Sequence, residues 1–162
     1  MQKFIIYTDG SCKGNGKENN CGGFAFVILN DNGEVVAKRS KQELNTTNNR
    51  MEMRAIVSAI GEVMQYINTT NFLVEIYSDS AYVHNCKIQQ WYKSWRKNNW
   101  KNSKKEPVKN KDLWEILTFF FDDERFIFNK VKGHAGNKFN ELVDKLAVAA
   151  SDGIEVYERS NK

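Results

Sequence analysis

One proline, three cysteines and two histidines in 162 residues exclude several kinds of protein at the outset. Cys12, Cys21 and Cys86 are odd in number and show no CxxC spacing, so neither a disulfide framework nor a zinc site is indicated, and free thiols are expected. No apolar run approaches the ~20 residues that span a bilayer, and Met1-Gln2-Lys3-Phe4 lacks the apolar core of a signal peptide. A soluble cytoplasmic chain that meets no membrane is therefore expected. There is no repeat or low-complexity tract, and Pro107 is the only proline that could interrupt an element. A chain of this length suits one domain with a full core, burying roughly 68–70% of its unfolded surface.

Charge is present but unevenly placed. The whole chain carries a formal +4, whereas residues 87–111 hold nine Lys or Arg against one Glu. A basic segment on a mildly acidic body points to a polyanionic partner more strongly than the overall balance does. Trp91, Trp95, Trp100 and Trp114 are interleaved with these cations. Most of them are expected to pack the segment onto the body, a use that the lysines do not share.

The stretch from Lys3 to Cys12 is an apolar run that meets Asp9 and then Gly10. β-Branched and aromatic residues favour a strand over residues 3–9, and Gly10 would permit a sharp exit that leaves Asp9 at the rim of a sheet. An Asp before a Gly is ordinarily just a turn. A second copy of the pattern gives it weight: Phe72-Leu73-Val74-Glu75-Ile76-Tyr77 is again apolar and closes on Ser78-Asp79. Residues 23–29 and 34–39 read as an antiparallel hairpin around Asn30-Asp31-Asn32-Gly33. Residues 50–67 switch to helical period through Ile56, Ile60, Val63 and Ile67. A helix leading into the strand at 72–77 is a right-handed crossover that returns it parallel to a strand already in the sheet, which sets Asp79 beside Asp9. Helices near 80–87, 89–97 and 110–122, a strand at 125–131 and a helix at 138–150 complete the pattern, with 151–162 read as a tail.

Two more acids lie on helices. Glu52 continues the apolar stripe of Ile56 and Ala59, so it points toward the sheet, and a carboxylate on a core face needs a reason. Asn49-Arg50-Met51-Glu52 also has the spacing of a capping box, which is the plainer reason. Asp144 and Asn140 lie one turn apart at the edge of the stripe formed by Phe139, Leu142, Val143 and Leu146; alone, such an Asp is usually a solvated surface residue. Before them, His134 stands in a loop between Gly133 and Gly136, where an imidazole is exposed with a near-neutral pKa. His84, in a polar helix, reads as a surface residue.

Taken together, Thr8-Asp9-Gly10-Ser11-Cys12, Thr46-Thr47-Asn48-Asn49-Arg50-Met51-Glu52, Ser78-Asp79-Ser80, Val131-Lys132-Gly133-His134-Ala135-Gly136 and Asn140 to Asp144 closely resemble bacterial-type ribonuclease H, the type 1 family, from about residue 3 to 150. The resemblance implies an α/β fold with a five-stranded mixed sheet, three antiparallel strands and then two parallel, flanked by helices in a single domain over 1–150. It implies an endonuclease that hydrolyses the RNA strand of RNA/DNA hybrids and leaves 5′-phosphate and 3′-hydroxyl ends. By motif position, Asp9, Glu52, Asp79 and Asp144 match the family's catalytic metal-binding carboxylates and His134 its auxiliary histidine. Two Mg²⁺ ions ~3.5–4 Å apart, with Mn²⁺ as a substitute, would activate a water and neutralise the departing 3′-oxygen. Asp9 would bridge both ions, Glu52 and Asp79 would hold one, and Asp144 the other.

Cys12, Asn15, Asn48, Asn49 and Asn140 match substrate-binding positions, and Lys97, Lys101, Lys104 and Lys105 lie in a segment, about 88–114, that resembles the family's basic protrusion. Those lysines would meet phosphates without reading sequence. Two features depart from the pattern. Ala81 stands where several relatives carry a glutamine that reads the RNA side, and residues 15–20 differ from the proline-containing loop common in the family. A working monomer is expected. A hybrid-binding module without catalysis, or another metal-dependent nuclease or strand transferase, would need a different account of four gathered acids or of the Asn48-Asn49 pair.

Overall fold

The computed structural model describes residues 1–131 and 137–160. In chain order the elements are strands β1 (Gln2–Lys13), β2 (Cys21–Asn30) and β3 (Val35–Leu44), helix α1 (Asn48–Val63), strand β4 (Phe72–Ser78), helices α2 (Ala81–Gln89), α3 (Trp91–Lys97) and α4 (Lys111–Phe121), strand β5 (Phe126–Lys130), helix α5 (Lys138–Ser151) and strand β6 (Val156–Arg159). They build one sheet in the order β5-β4-β1-β2-β3-β6. The first three strands are antiparallel neighbours, while β4 lies parallel to β1 and β5 parallel to β4. The hairpin turn closes as its sequence requires, with Asn30 Oδ1 accepting from the backbone N–H groups of Asn32 and Glu34 at 3.0 Å each.

The sheet has six strands where five were expected, because part of the stretch read as a tail pairs with β3. Ala37 to Ser40 face Arg159 to Val156 in antiparallel register. Ser40 Oγ accepts from Val156 N at 3.0 Å, and the Arg39 guanidinium lies 4.5 Å from the centre of the Tyr157 ring. Anchorage comes from Glu62 of α1, a buried carboxylate that accepts from Tyr157 Oη at 2.6 Å and Arg159 Nε at 2.9 Å.

A second difference concerns β1, which does not end at Asp9. Asp9 pairs with Ala25 and Gly10 with Phe24, and the ladder continues to Lys13. The reason for Gly10 is therefore close approach rather than a turn: a Cβ there would collide with the backbone of Met51 and Glu52 in α1. Gly23 serves α5 likewise, since a Cβ on it would run into the backbone of Ala147 and Ser151.

Helices cover both faces of the sheet. Phe4, Ile6, Phe26 and Ile28 meet Ile56 and Ile60 of α1 on one face, whereas Ala25, Val27 and Leu29 meet Val143 and Ala147 of α5 on the other. This is why every residue of β2 from Gly22 to Leu29 is buried. Each fully buried Ile or Leu contributes about 1.5–3 kcal/mol relative to exposure, so the register that carries Asp9 is fixed by far more energy than any single polar contact supplies. Trp114 of α4 is fully buried and donates from Nε1 to Tyr82 Oη at 3.2 Å; Trp91, Trp95 and Trp100 pack around it as partly buried rings. The tryptophans thus hold the basic segment on the body, as expected. Among the described residues, no helix is long and apolar enough to cross a membrane.

Candidate active site

Two neighbouring parallel strands set the first pair of acids. Tyr7 of β1 is level with Tyr77 of β4, so two residues further on Asp9 comes level with Asp79. Thr8 Oγ1 donates to the Tyr77 carbonyl at 3.3 Å and ties the two strands just before the acids. Beyond Ser78 the chain turns into α2, where Ser80 is the N-cap, its Oγ accepting from Val83 N at 3.2 Å. Asp79 occupies this junction and is exposed.

The third acid arrives on α1. Its N-cap is Thr47, whose Oγ1 accepts from Arg50 N at 3.1 Å, so Asn49 and Glu52 do not form the capping box that their spacing permits. Glu52 instead lies one turn into the helix, against β1 where Gly10 admits it. Carboxylate oxygens of Asp9, Glu52 and Asp79 lie within 4.8 Å of one another. Asp9 Oδ1 accepts from Gly10 N at 2.9 Å, whereas Glu52 Oε2 is buried with no hydrogen-bond partner.

Such a cluster opposes its own charge. Burial and the adjacent Asp79 carboxylate push Asp9 up to about 7, and burial with the charges of Asp9 and Asp79 pushes Glu52 up to about 10. The donor set is oxygen only, half-buried and short of positive charge, and one oxygen is unpartnered. A hard divalent cation fits those conditions, because it would supply the missing partner and the missing charge together.

Asp144 reaches the same place from α5. It is exposed, lies outside the compact group of three, and interacts with the Asp9 carboxyl. The helix is set by Asn137, which caps it through Phe139 N and Asn140 N at 2.9 and 3.2 Å and donates from Nδ2 to Tyr7 Oη at 3.3 Å. All four acids line one open cleft of about 490 Å³.

Of the expected substrate-binding residues, Cys12, Asn48 and Asn49 line this cleft. Asn15 borders it by accepting from Asn48 N at 3.1 Å, which joins the 14–20 loop to the start of α1. Asn140 sits in the first turn of α5 and is not part of the lining. Lys97 at the end of α3 and Lys101, Lys104 and Lys105 on the segment after it are exposed, are not part of the lining, and make no ion pair to a described residue. His134 lies outside the described residues. Ser80, part of the Ser78-Asp79-Ser80 motif, lines the cleft, and so does Tyr82, which the sequence reading did not single out; the helix pattern that follows Asp79 is the signal for it. His84 is a correction: it is buried at 6% exposure, with Nε2 2.9 Å from the Ser78 carbonyl oxygen.

The family profile for RNase H matches residues 1–152. Ribonuclease H of Clostridium botulinum (strain Hall) is 45% identical over 156 residues, covering 96% of this chain and 100% of that protein. The crystal structure of LC9-RNase H1, described as a type 1 RNase H with the type 2 active-site motif, superposes with a TM-score of 0.79 at 28% identity over 99% of this chain and 79% of that one. LC11-RNase H1, solved in complex with RNA/DNA hybrid, shares the fold with a TM-score of 0.64 at 24% identity over 93% of this chain and 97% of its own. With a family match over nearly its whole length and close relatives of the same name, the chain belongs to the ribonuclease H family.

Proposed function

We propose that this protein is a metal-dependent endonuclease that hydrolyses the RNA strand of RNA/DNA hybrids, leaving 5′-phosphate and 3′-hydroxyl ends. The observation that carries the reading is the Asp9, Glu52 and Asp79 cluster with a buried, unpartnered Glu52 oxygen, on a chain of this family. Asp9, Glu52, Asp79 and Asp144 would hold Mg²⁺, two ions when substrate is present, with Mn²⁺ able to take its place. When bound, the cations supply Lewis-acid activation of the attacking water and neutralise charge on the departing oxygen. The carboxylates orient that chemistry from two strands and two helices, so their spacing is set by the sheet register. Asp9 interacts with Glu52, Asp79 and Asp144, so it would be the carboxylate that both cations share.

Around the acids, polar groups suited to a duplex line the approach. Asn48 and Asn49 are exposed at the start of α1, and their amides both donate and accept, which fits groove edges and the 2′-hydroxyls that distinguish RNA from DNA. Cys12, Asn15 and Asn140 extend this surface, and Lys97, Lys101, Lys104 and Lys105 engage phosphates of the DNA strand. His134 carries a proton or assists product departure as an auxiliary group. The protein would act as a monomer in the cytoplasm. A cleavage assay with a labelled strand in hybrid, duplex DNA and duplex RNA tests the reading: Mg²⁺-dependent cutting confined to RNA in the hybrid is expected, and cutting of duplex DNA would contradict it.

A further inference from the structure

Asp79 is the least supported of the clustered acids. It is exposed, and among the described residues no hydrogen bond holds its side chain. Its position therefore depends on the backbone on either side, where β4 gives way to α2. Ser78 Oγ accepts from Ser80 N at 3.1 Å and shapes the turn itself. The Ser78 carbonyl, immediately before Asp79, receives two donors at 2.9 Å, the backbone N–H of Val131 beyond β5 and Nε2 of His84 from α2. A carbonyl oxygen only accepts, so the imidazole carries its proton on Nε2. One atom thus joins the end of β4, the first turn of α2 and the chain leaving β5.

We infer that His84 is a positioning residue that fixes Asp79 by clamping the strand-to-helix junction at the Ser78 carbonyl. The inference rests on the reading of the acidic cluster as a metal site. The His84 side chain closes a loop back onto Ser78 with Asp79 inside it; Ser80 caps the start of α2 through Val83 N and its carbonyl accepts from His84 N, while Ser80 N to Ser78 Oγ and the His84 ring tie that start back to β4. A buried imidazole that only filled space could be replaced by Leu with a gain in apolar burial, and among the described residues the Ser78 carbonyl is the hydrogen-bond partner of its ring. Loss of the clamp would not leave the Ser78 carbonyl unpaired, since Val131 N remains, so the change should reach the carboxylate's placement more than the fold.

The test uses His84→Leu, which removes the donor, and His84→Gln, whose amide restores a donor near the position of Nε2. His84→Asn, too short to span the gap, stands in for Leu should that variant not fold. Binding of Mn²⁺ to the substrate-free protein is measured by calorimetry alongside the Mg²⁺ concentration for half-maximal cleavage, with Asp79→Asn as reference. The expected result is a weakening of metal binding on the order of tenfold in His84→Leu or His84→Asn, and recovery to within about twofold in His84→Gln, at unchanged KM for hybrid in saturating metal. Wild-type metal binding in His84→Leu and His84→Asn, beside a clear loss in Asp79→Asn, would overturn the role of His84 alone. Equal losses in Leu and Gln variants accompanied by lowered Tm would overturn it too, by showing that only packing matters. If Asp79→Asn binds Mn²⁺ like wild type, the metal reading falls, and this inference with it.

Discussion

Arg159 donates from Nε to the carboxylate of Glu62 at 2.9 Å, joining the last strand of the sheet to the helix that carries Glu52. Glu62 is buried at 4% exposure and takes a second bond from Tyr157 Oη. A carboxylate in that position is costly unless donors meet it, and two of its donors come from four residues at the sheet edge.

Deletion of residues 156–162 should therefore lower thermal stability, since the partners of a buried charged group are worth about 1–3 kcal/mol or more. At this chain length such a loss lowers Tm by several degrees, roughly 2–4 °C per kcal/mol. Glu62→Met in the truncated chain should recover most of the loss, and thermal melts of the four variants in this cycle measure it. Equal melting of full-length and truncated protein would show that β6 is ornamental.

That strand is also the element least legible in the sequence. Asp9 and Asp79 were legible because each follows an apolar run that can only be a strand, and the crossover rule then brought them together. The helices at Ile56 and Val143 were legible from their period. Residues 156–159 were not, because Val156 is the only one of the four that is not exposed and the neighbouring charges look solvated until β3 and Glu62 are beside them. His84 was misread for a similar reason. Its helix shows no clear apolar face, and the carbonyl that draws the ring inward belongs to another element. Gly10 was placed correctly at the site but for the wrong cause, since close packing of α1 leaves no trace in β1 itself.

The basic segment should act through salt-sensitive affinity. Replacing Lys97, Lys101, Lys104 and Lys105 with Ala should raise KM for long hybrids and flatten its salt dependence, each lost phosphate contact lowering the slope by ~0.9. Turnover at saturation should change little, because these exposed side chains bind ground and transition state alike. A variant with wild-type KM and salt slope at low ionic strength would show a merely solvated face.

His134→Ala should slow turnover and leave measurable activity, because water can replace an auxiliary proton carrier. Single-turnover kinetics with the RNA strand labelled measure this. A wholly inactive variant would assign His134 a direct part in the chemistry.

The acidic cluster predicts a pH dependence with a definite sign. Asp9 and Glu52 hold protons more tightly folded than unfolded, so their stabilising contribution is complete below the ordinary carboxylate range and is lost as pH rises through about 7 and toward about 10. His84 works in the opposite sense, since burial lowers its pKa and its contribution is lost as pH falls below 6.5. Between pH 7 and 9 the carboxylates should dominate. Metal-free protein should lose stability across that window, Glu52→Gln should lose less, and added Mg²⁺ should raise Tm more at pH 8.5 than at pH 7 while releasing protons. Melts in chelator and in Mg²⁺, with calorimetry in two buffers of different ionisation enthalpy, check each part; a Mg²⁺ effect independent of pH would contradict the assignment.

If the carboxylates gathered around Asp9 hold the cations that drive cleavage, Asp9→Asn should abolish it. The substitution keeps the shape of the side chain and the bond from Gly10 N but removes the charge at the centre of the cluster. Cleavage of a labelled hybrid in Mg²⁺ is measured together with hybrid binding in chelator. The expected result is at least a hundredfold loss of cleavage, about 2.7 kcal/mol of transition-state stabilisation, with binding and Tm close to wild type or better. Retention of more than about a tenth of wild-type activity, a loss under 1.4 kcal/mol, would contradict it.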